Sequence, residues 1–234
     1  TGTQTAINDT LATIKYTGSL NYNGADALSI ISKDSLGGVS ETKQVPINVT
    51  AGNDAPVAVA DTATATEAGG TGNATAGVNP GITGPTISKV LANDSDTEDP
   101  NSALVVSAIA KVTSGTSGTD VAVNASTTGS NGTSIVGDYG TLVIGADGSY
   151  TYTVNQNNAT VQALNVGSPA LNDVFTYTVK DTGGLTSKAT ITVAVNGAND
   201  APIVANFIAD TTAIEGVAVN YQIAANAFSD VDNA

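Results

Sequence analysis

Two Asn-Asp pairs carry the groups most able to do chemistry in this sequence. One lies in Gly52-Asn53-Asp54-Ala55-Pro56, the other in Gly197-Ala198-Asn199-Asp200-Ala201-Pro202. Each trails a strand-like run bounded by aspartates, Asp26 to Asp34 before the first and Asp173 to Asp181 before the second. Each is followed by a glutamate, Glu67 or Glu215, and then by an Asp-x-Asp, Asp94-Ser95-Asp96 or Asp230-Val231-Asp232. All of these side chains are oxygen donors. Such a set suits a hard cation, and Ca2+ gathers six to eight oxygens at about 2.3–2.6 Å in a flexible shell. Mg2+ demands a stricter octahedron and fits less well.

Other chemistries are closed. His and Cys are absent, which removes the usual zinc ligands, the thiolate nucleophile and the commonest general base. The glutamates, Glu41, Glu67, Glu98 and Glu215, show no paired-carboxylate spacing for acid–base hydrolysis. The sequence therefore argues against an enzyme. Its 21 Asp plus Glu face 7 Lys, a formal net charge of −14. Nucleic acid and anionic membrane surfaces need clustered basic residues, so neither is an expected partner. No apolar run approaches the roughly 20 residues that span a bilayer, so membrane insertion is not expected. With no Met, the chain reads as a window on a longer protein or as a processed product.

The elements that must position the carboxylates are strands. Thr, Ser, Gly, Val, Ala and Asn dominate, a β-rich and turn-rich composition. Short alternating runs are expected at Leu11 to Tyr16, Val57 to Ala63, Ser88 to Leu91, Leu104 to Val112, near Val121, Ile203 to Ile208 and Val217 to Ile223. Three hairpins are expected: Asp26 to Val49, Gly140 to Val154 around Gly145-Ala146-Asp147-Gly148, and Asp173 to Val195. Pro46 marks an edge strand or a bulge. A Gly/Asn/Pro-rich loop fills the stretch up to Pro85, and one helical turn is expected within Asn158 to Leu164. Tyr150, Tyr152, Phe175 and Tyr177 are spaced two apart on neighbouring strands and belong to a core. The fold class is all-β: tandem antiparallel β-sandwiches of cadherin-like or immunoglobulin-like Greek-key type. Residues 1–52 read as the end of one sandwich, 53–198 as a complete one, and 199–234 as the start of a third.

Strand direction then decides which carboxylates meet. The third hairpin turns at Asp181, and its second strand runs to the hinge at Asn199. At roughly 3.3 Å per residue the two lie about 30 Å apart. Asp181 therefore joins Asn53, Asp54, Asp94 and Asp96 at the upstream end, with Asp26 from the preceding unit. Glu67, Asp173, Asn199 and Asp200 gather at the downstream end, where Asp230 and Asp232 approach from the next unit. Like charges this close splay without a cation, and Ca2+ is the expected one.

Three blocks in fixed order carry a family resemblance: Asp138 to Tyr152, Val161 to Gly167 and Asp173 to Asp181. Together they resemble the VCBS repeat of very large secreted bacterial adhesins, over about Asp54 to Asp200. The Gly/Ser/Thr-rich loops here are longer than that family's pattern. The first segment resembles the end of a cadherin-like repeat of RTX-type adhesins, and the last the start of a dystroglycan-type cadherin-like repeat. The resemblance implies sandwiches strung head to tail, calcium at the junctions, type I export and display on the bacterial cell surface. It implies a structural extender supporting adhesion or biofilm formation, with neighbouring repeats of the same chain as partners.

Two rival readings remain at this level. One is a glycan- or protein-binding module using the loops of Gly115 to Gly137; the absence of Trp and the scarcity of Phe argue against it. The other is a homotypic head-to-tail filament, in which the end of one copy completes the start of the next.

Overall fold

The computed structural model describes residues 3–69, 77 and 89–232. Most of the loop expected up to Pro85, and Ser88 at the head of an expected strand, lie outside these. The chain divides into two compact units, residues 1–54 and 55–234.

The first unit opens with helix α1 (Gln4–Leu11), capped by the Thr3 hydroxyl, which accepts from the Ala6 N–H. The strand expected from Leu11 to Tyr16 does not form. Its backbone instead closes local turns, with the Thr13 and Ile14 N–H groups donating to the Thr10 and Leu11 carbonyls. Strands β1 (Gly24–Ile30) and β2 (Lys43–Val49) make the first hairpin, with Asp26 opposite Ile47. Pro46 stands opposite Ala27 in β2, whose partner among the described residues is β1 alone. None of the described residues 3–54 is buried.

The second unit holds the sandwich. Its larger sheet contains β3 (Asp61–Thr66), β4 (Val105–Thr113), the short β5 (Thr116–Ser117) and β6 (Val121–Ala122), and two long strands introduced below. The smaller sheet is β7 (Thr133–Val136), β8 (Gly140–Ile144) and β9 (Tyr150–Val154) in that order. One helical turn, α2 (Ala159–Gln162), leads to the hairpin of β10 (Leu171–Lys180) and β11 (Thr186–Asn196). The larger sheet runs β3-β11-β10-β4, with β5 and β6 both on β4. A final pair, β12 (Ile203–Val204) and β13 (Phe228–Ser229), follows the Asn199-Asp200 hinge.

Alternation builds the core. Tyr150, Tyr152 and Val154 of β9 are buried, as are Ile191, Val193 and Val195 of β11 and Phe175, Tyr177 and Val179 of β10. Each such side chain fully removed from water contributes about 1.5–3 kcal/mol. One pairing departs from the antiparallel expectation: β3 lies parallel to β11, with Thr66 beside Asn196. A chain that enters the sandwich at one end and leaves at the other must run its first and last strands in the same direction. Where these become neighbours, the pairing is parallel.

Two more runs differ from expectation. Val90–Asn93 is a tight helical turn, and only Lys89 bridges, to Ser149. Val217 to Ile223 is not a strand, and Ile203 to Ile208 keeps only β12. Val217, Val219, Tyr221 and Ile223 are all exposed, with no sheet face among the described residues to cover them.

Candidate cation sites at the two ends of the sandwich

The parallel pairing of β3 with β11 sets up the downstream end. The Glu67 N–H donates to the Asn196 carbonyl at 3.0 Å. This seats Glu67 beside the turn into the hinge, where it is fully buried. Its Oε1 accepts from the Ala198 N–H at 3.1 Å and its Oε2 from Gln162 Nε2 at 3.0 Å. Asp200 is 4% exposed. Its N–H donates to Asp232 Oδ2 at 2.7 Å, and the Asp232 N–H donates to Asp230 Oδ1 at 2.9 Å. The other Asp232 oxygen, Oδ1, is buried with no hydrogen-bond partner among the described residues. Asn199 Nδ2 donates to the Asp200 carbonyl.

These carboxylates feel one another. Burial pushes Glu67 up to about 7, helped by the charges of Asp200 and Asp232 and opposed by the N–H bonds from Ala198 and Gln162. Asp200 is likewise raised, by burial first and then by Asp232 and Asp230.

Asp173 does not join them. It is 1% exposed. Its Oδ1 accepts from the Asp138 N–H at 2.6 Å, and its Oδ2 from the Tyr139 N–H at 3.1 Å and the Tyr152 hydroxyl at 2.6 Å. Asp173 shares the inward parity of Phe175, Tyr177 and Val179, so its carboxylate faces the smaller sheet rather than the hinge. That parity is visible in the sequence and outweighs nearness to the strand end.

At the upstream end, Val57 and Ser95 exchange backbone hydrogen bonds, 2.7 and 3.1 Å. The start of the sandwich is thereby tied to the residue between Asp94 and Asp96. Asp94 is 5% exposed, and its Oδ1 accepts from the Val59 N–H at 2.7 Å. Burial raises its proton affinity. Asp96 Oδ1 caps the N–H groups of Glu98 and Asp99, both at 2.9 Å. Asp96 Oδ2 is buried with no hydrogen-bond partner among the described residues.

Asp181 is 3% exposed and closes its own turn, its Oδ1 accepting from the Leu185 N–H at 2.7 Å. Asp99 takes the Thr182 N–H and hydroxyl and so fastens that turn to the Asp96 loop. The eleven residues of β11 separate Asp181 from the hinge, a span of about 36 Å at roughly 3.3 Å per residue. Tyr177 sends its hydroxyl into the same region, within 2.8 Å of both the Val59 carbonyl and Asp61 Oδ2.

In the first unit, Asp26 is exposed and accepts from the Tyr16 hydroxyl at 2.8 Å, a bond that holds its carboxyl below the ordinary range. Asn53 and Asp54 close that unit, Asn53 exposed and Asp54 half-buried.

Among the described residues, no three acidic side chains stand in a geometry that would enclose a metal ion. Lys89, Lys111 and Lys188 pair with Asp147, Asp138 and Asp120 at 3.1, 2.5 and 2.7 Å. Such exposed pairs contribute about 0–1 kcal/mol each. A cleft of about 490 Å³ between Lys89, Leu91, Asn101, Thr127 and Asp147 has no aromatic wall among the described residues. Among the described residues no helix is long and apolar enough to cross a membrane.

Comparison with curated proteins gives no match. The model of the bacterial cadherin-like domain matches residues 53–197, well over half of the chain and the whole of the sandwich. That family is one of structural, adhesion-type modules and is generally non-enzymatic. With its two-sheet core, its Asn-Asp hinge and this match, the chain belongs to the bacterial cadherin-like domain family.

Proposed function

We propose that the chain is a non-enzymatic extender segment of a large secreted bacterial adhesin, stiffened at its hinges by Ca2+. The observation that carries this reading is the gathering of Glu67, Asp200, Asp230 and Asp232 where the sandwich hands over to the following segment. Two of these carboxylates are buried, and one oxygen of Asp232 is buried without a hydrogen-bond partner among the described residues. Burying charge without compensation is costly, and like charges add to the cost. A divalent cation offsets both.

The donor chemistry suits the ion, and binding would draw together side chains that, among the described residues, do not enclose one by themselves. Every side chain offered is an oxygen ligand, as Ca2+ prefers. Glu67, Asn199, Asp200, Asp230 and Asp232 would hold it downstream. Asp94, Asp96 and Asp181 offer the same chemistry upstream, where Asp96 Oδ2 also lacks a partner among the described residues. Bound Ca2+ supplies charge neutralisation and cross-linking, with no bond made or broken. The chain's residues supply the mechanics: Glu67 belongs to the sandwich, Asp230 and Asp232 to the segment beyond. Joining them resists bending at Asn199-Asp200. The likeness to VCBS repeats supports the finer reading of surface display after type I export, with neighbouring repeats as partners and adhesion or biofilm formation as the outcome.

Small-angle scattering and thermal melting of the chain, in calcium and in chelator, test the proposal. Calcium should lengthen the particle and raise Tm. Identical profiles and melting curves in the two buffers would sink it.

A further inference from the structure

We infer that Gln162 is a positioning residue for the downstream cation, holding the Glu67 carboxylate in its binding orientation; the inference rests on the calcium reading above. Glu67 has two buried oxygens, and each receives one N–H, from Ala198 and from Gln162. Ala198 belongs to the hinge itself, so Gln162 is the donor that approaches from the body of the sandwich.

Gln162 is well placed to be rigid. It ends α2, whose Val161 is fully buried in the core. The Asn158 side chain caps that turn through the Thr160 and Val161 N–H groups, and its Nδ2 donates to the Asp138 carbonyl. The amide of Gln162 is also oriented. Its Nε2 donates to Gln156 Oε1 at 3.3 Å as well as to Glu67, and Gln156 Oε1 accepts from the Ala68 N–H at 3.2 Å. A flipped Gln162 would turn a carbonyl oxygen on the Glu67 carboxylate and lose both bonds. The chain Ala68–Gln156–Gln162–Glu67 therefore fixes a donor against one carboxylate oxygen and leaves further lone pairs of Glu67 for a cation.

Groups that orient a metal ligand through its remaining hydrogen bonds typically change affinity by about 10–100-fold when removed. Titration of the 15N-labelled chain with CaCl2, read by calorimetry and by the Ala198 and Asp200 amide resonances, tests this. Gln162→Leu should weaken downstream binding about tenfold or more and leave responses at Asp94 and Asp96 unchanged. Gln162→Met, similar in length but unable to donate, should weaken it about as much. In a Glu67→Gln background, Gln162→Leu should cause no further loss, because it acts through Glu67. Without calcium, hydrogen exchange at the Ala198 amide should speed up in Gln162→Leu. An unchanged affinity in Gln162→Leu, or an equal loss in the Glu67→Gln background, overturns the inference while the calcium reading stands. A wild-type chain whose Ala198 and Asp200 resonances ignore calcium overturns both.

Discussion

The Tyr152 hydroxyl donates to Asp173 Oδ2 at 2.6 Å, joining the smaller sheet of the sandwich to the larger. The first unit repeats the relationship, with Tyr16 donating to Asp26 Oδ2 at 2.8 Å. In both, the aspartate opens the strand-like run that leads towards an Asn-Asp pair. The separations are 21 and 10 residues, and α2 lies within the longer one. The aspartate that heads each repeated run is thus a tyrosine acceptor. Burial and the Asp173 charge hold the Tyr152 hydroxyl far above its ordinary pKa, so it remains a donor.

Tyr152→Phe removes that donor and leaves the buried Asp173 with its two backbone N–H bonds. Hydrogen bonds to charged groups contribute about 1.5–3 kcal/mol, so unfolding in urea should show a loss of that order. Calcium affinity should be unchanged. A Tyr152→Phe chain of wild-type stability, or one with weakened calcium binding, contradicts the assignment of Asp173 to the lock between sheets.

Gly137→Ala attacks the same lock from outside. A Cβ at this position would stand 2.2 Å from Asp173 Oδ2 and 2.5 Å from its carboxyl carbon. Three hydrogen bonds pin Asp173, so it cannot yield cheaply. Overpacking of this kind destabilises by about 1–3 kcal/mol. Combined with Tyr152→Phe, the two losses should fall short of additive, because both act on one carboxylate. Full additivity in urea melts would mean that Gly137 acts elsewhere.

The sequence made much of this legible, and its failures are specific. Alternation in Tyr150 to Val154 and in Asp173 to Val179 marks the core, and Asn158 marks α2 through its cap. The same alternation places Asp173 inward, but the grouping of acidic residues near a hinge suggested the opposite. Leu11 to Tyr16 alternates like a strand, yet Thr3 starts a helix just ahead of it and local turns satisfy its backbone. Gln162 and Gln156 carry no sequence signal, because two glutamines in a polar connection look like solvent-facing residues. Only the parallel approach of β3 to β11, which puts Glu67 at the mouth of the hinge, reveals what they hold.

Stability without calcium should fall as pH rises. Burial lifts Glu67 to about 7 and Asp61 to about 6, from ordinary values of 4.5 and 3.8. Asp94 and Asp200 are raised for the same leading reason. A carboxyl with a higher pKa folded than unfolded binds protons more tightly in the native state. Its contribution is fully present below the unfolded value and is lost as pH climbs through the folded one. In chelator, Tm should therefore drop between about pH 4 and pH 7 on account of these groups. Glu67→Gln should flatten the upper part of that fall. A Tm that climbs across this window would show that these carboxyls are not the controlling groups.

The two ends of the sandwich should bind calcium independently. Asp96 Oδ2 at the upstream end and Asp232 Oδ1 at the downstream end are each buried with no hydrogen-bond partner among the described residues. The length of β11 holds the ends about 36 Å apart at roughly 3.3 Å per residue, several times the Debye length of about 8 Å at physiological ionic strength. Asp232→Asn should abolish the calcium response of the Asp200 amide while leaving that of Asp94 intact. Asp96→Asn should do the reverse. The neutral amides should also raise calcium-free stability slightly, since each removes one like charge from a crowded group. If either substitution silences both ends in a calcium titration followed residue by residue, the ions are coupled through the sandwich, and the independence argued from distance and screening fails.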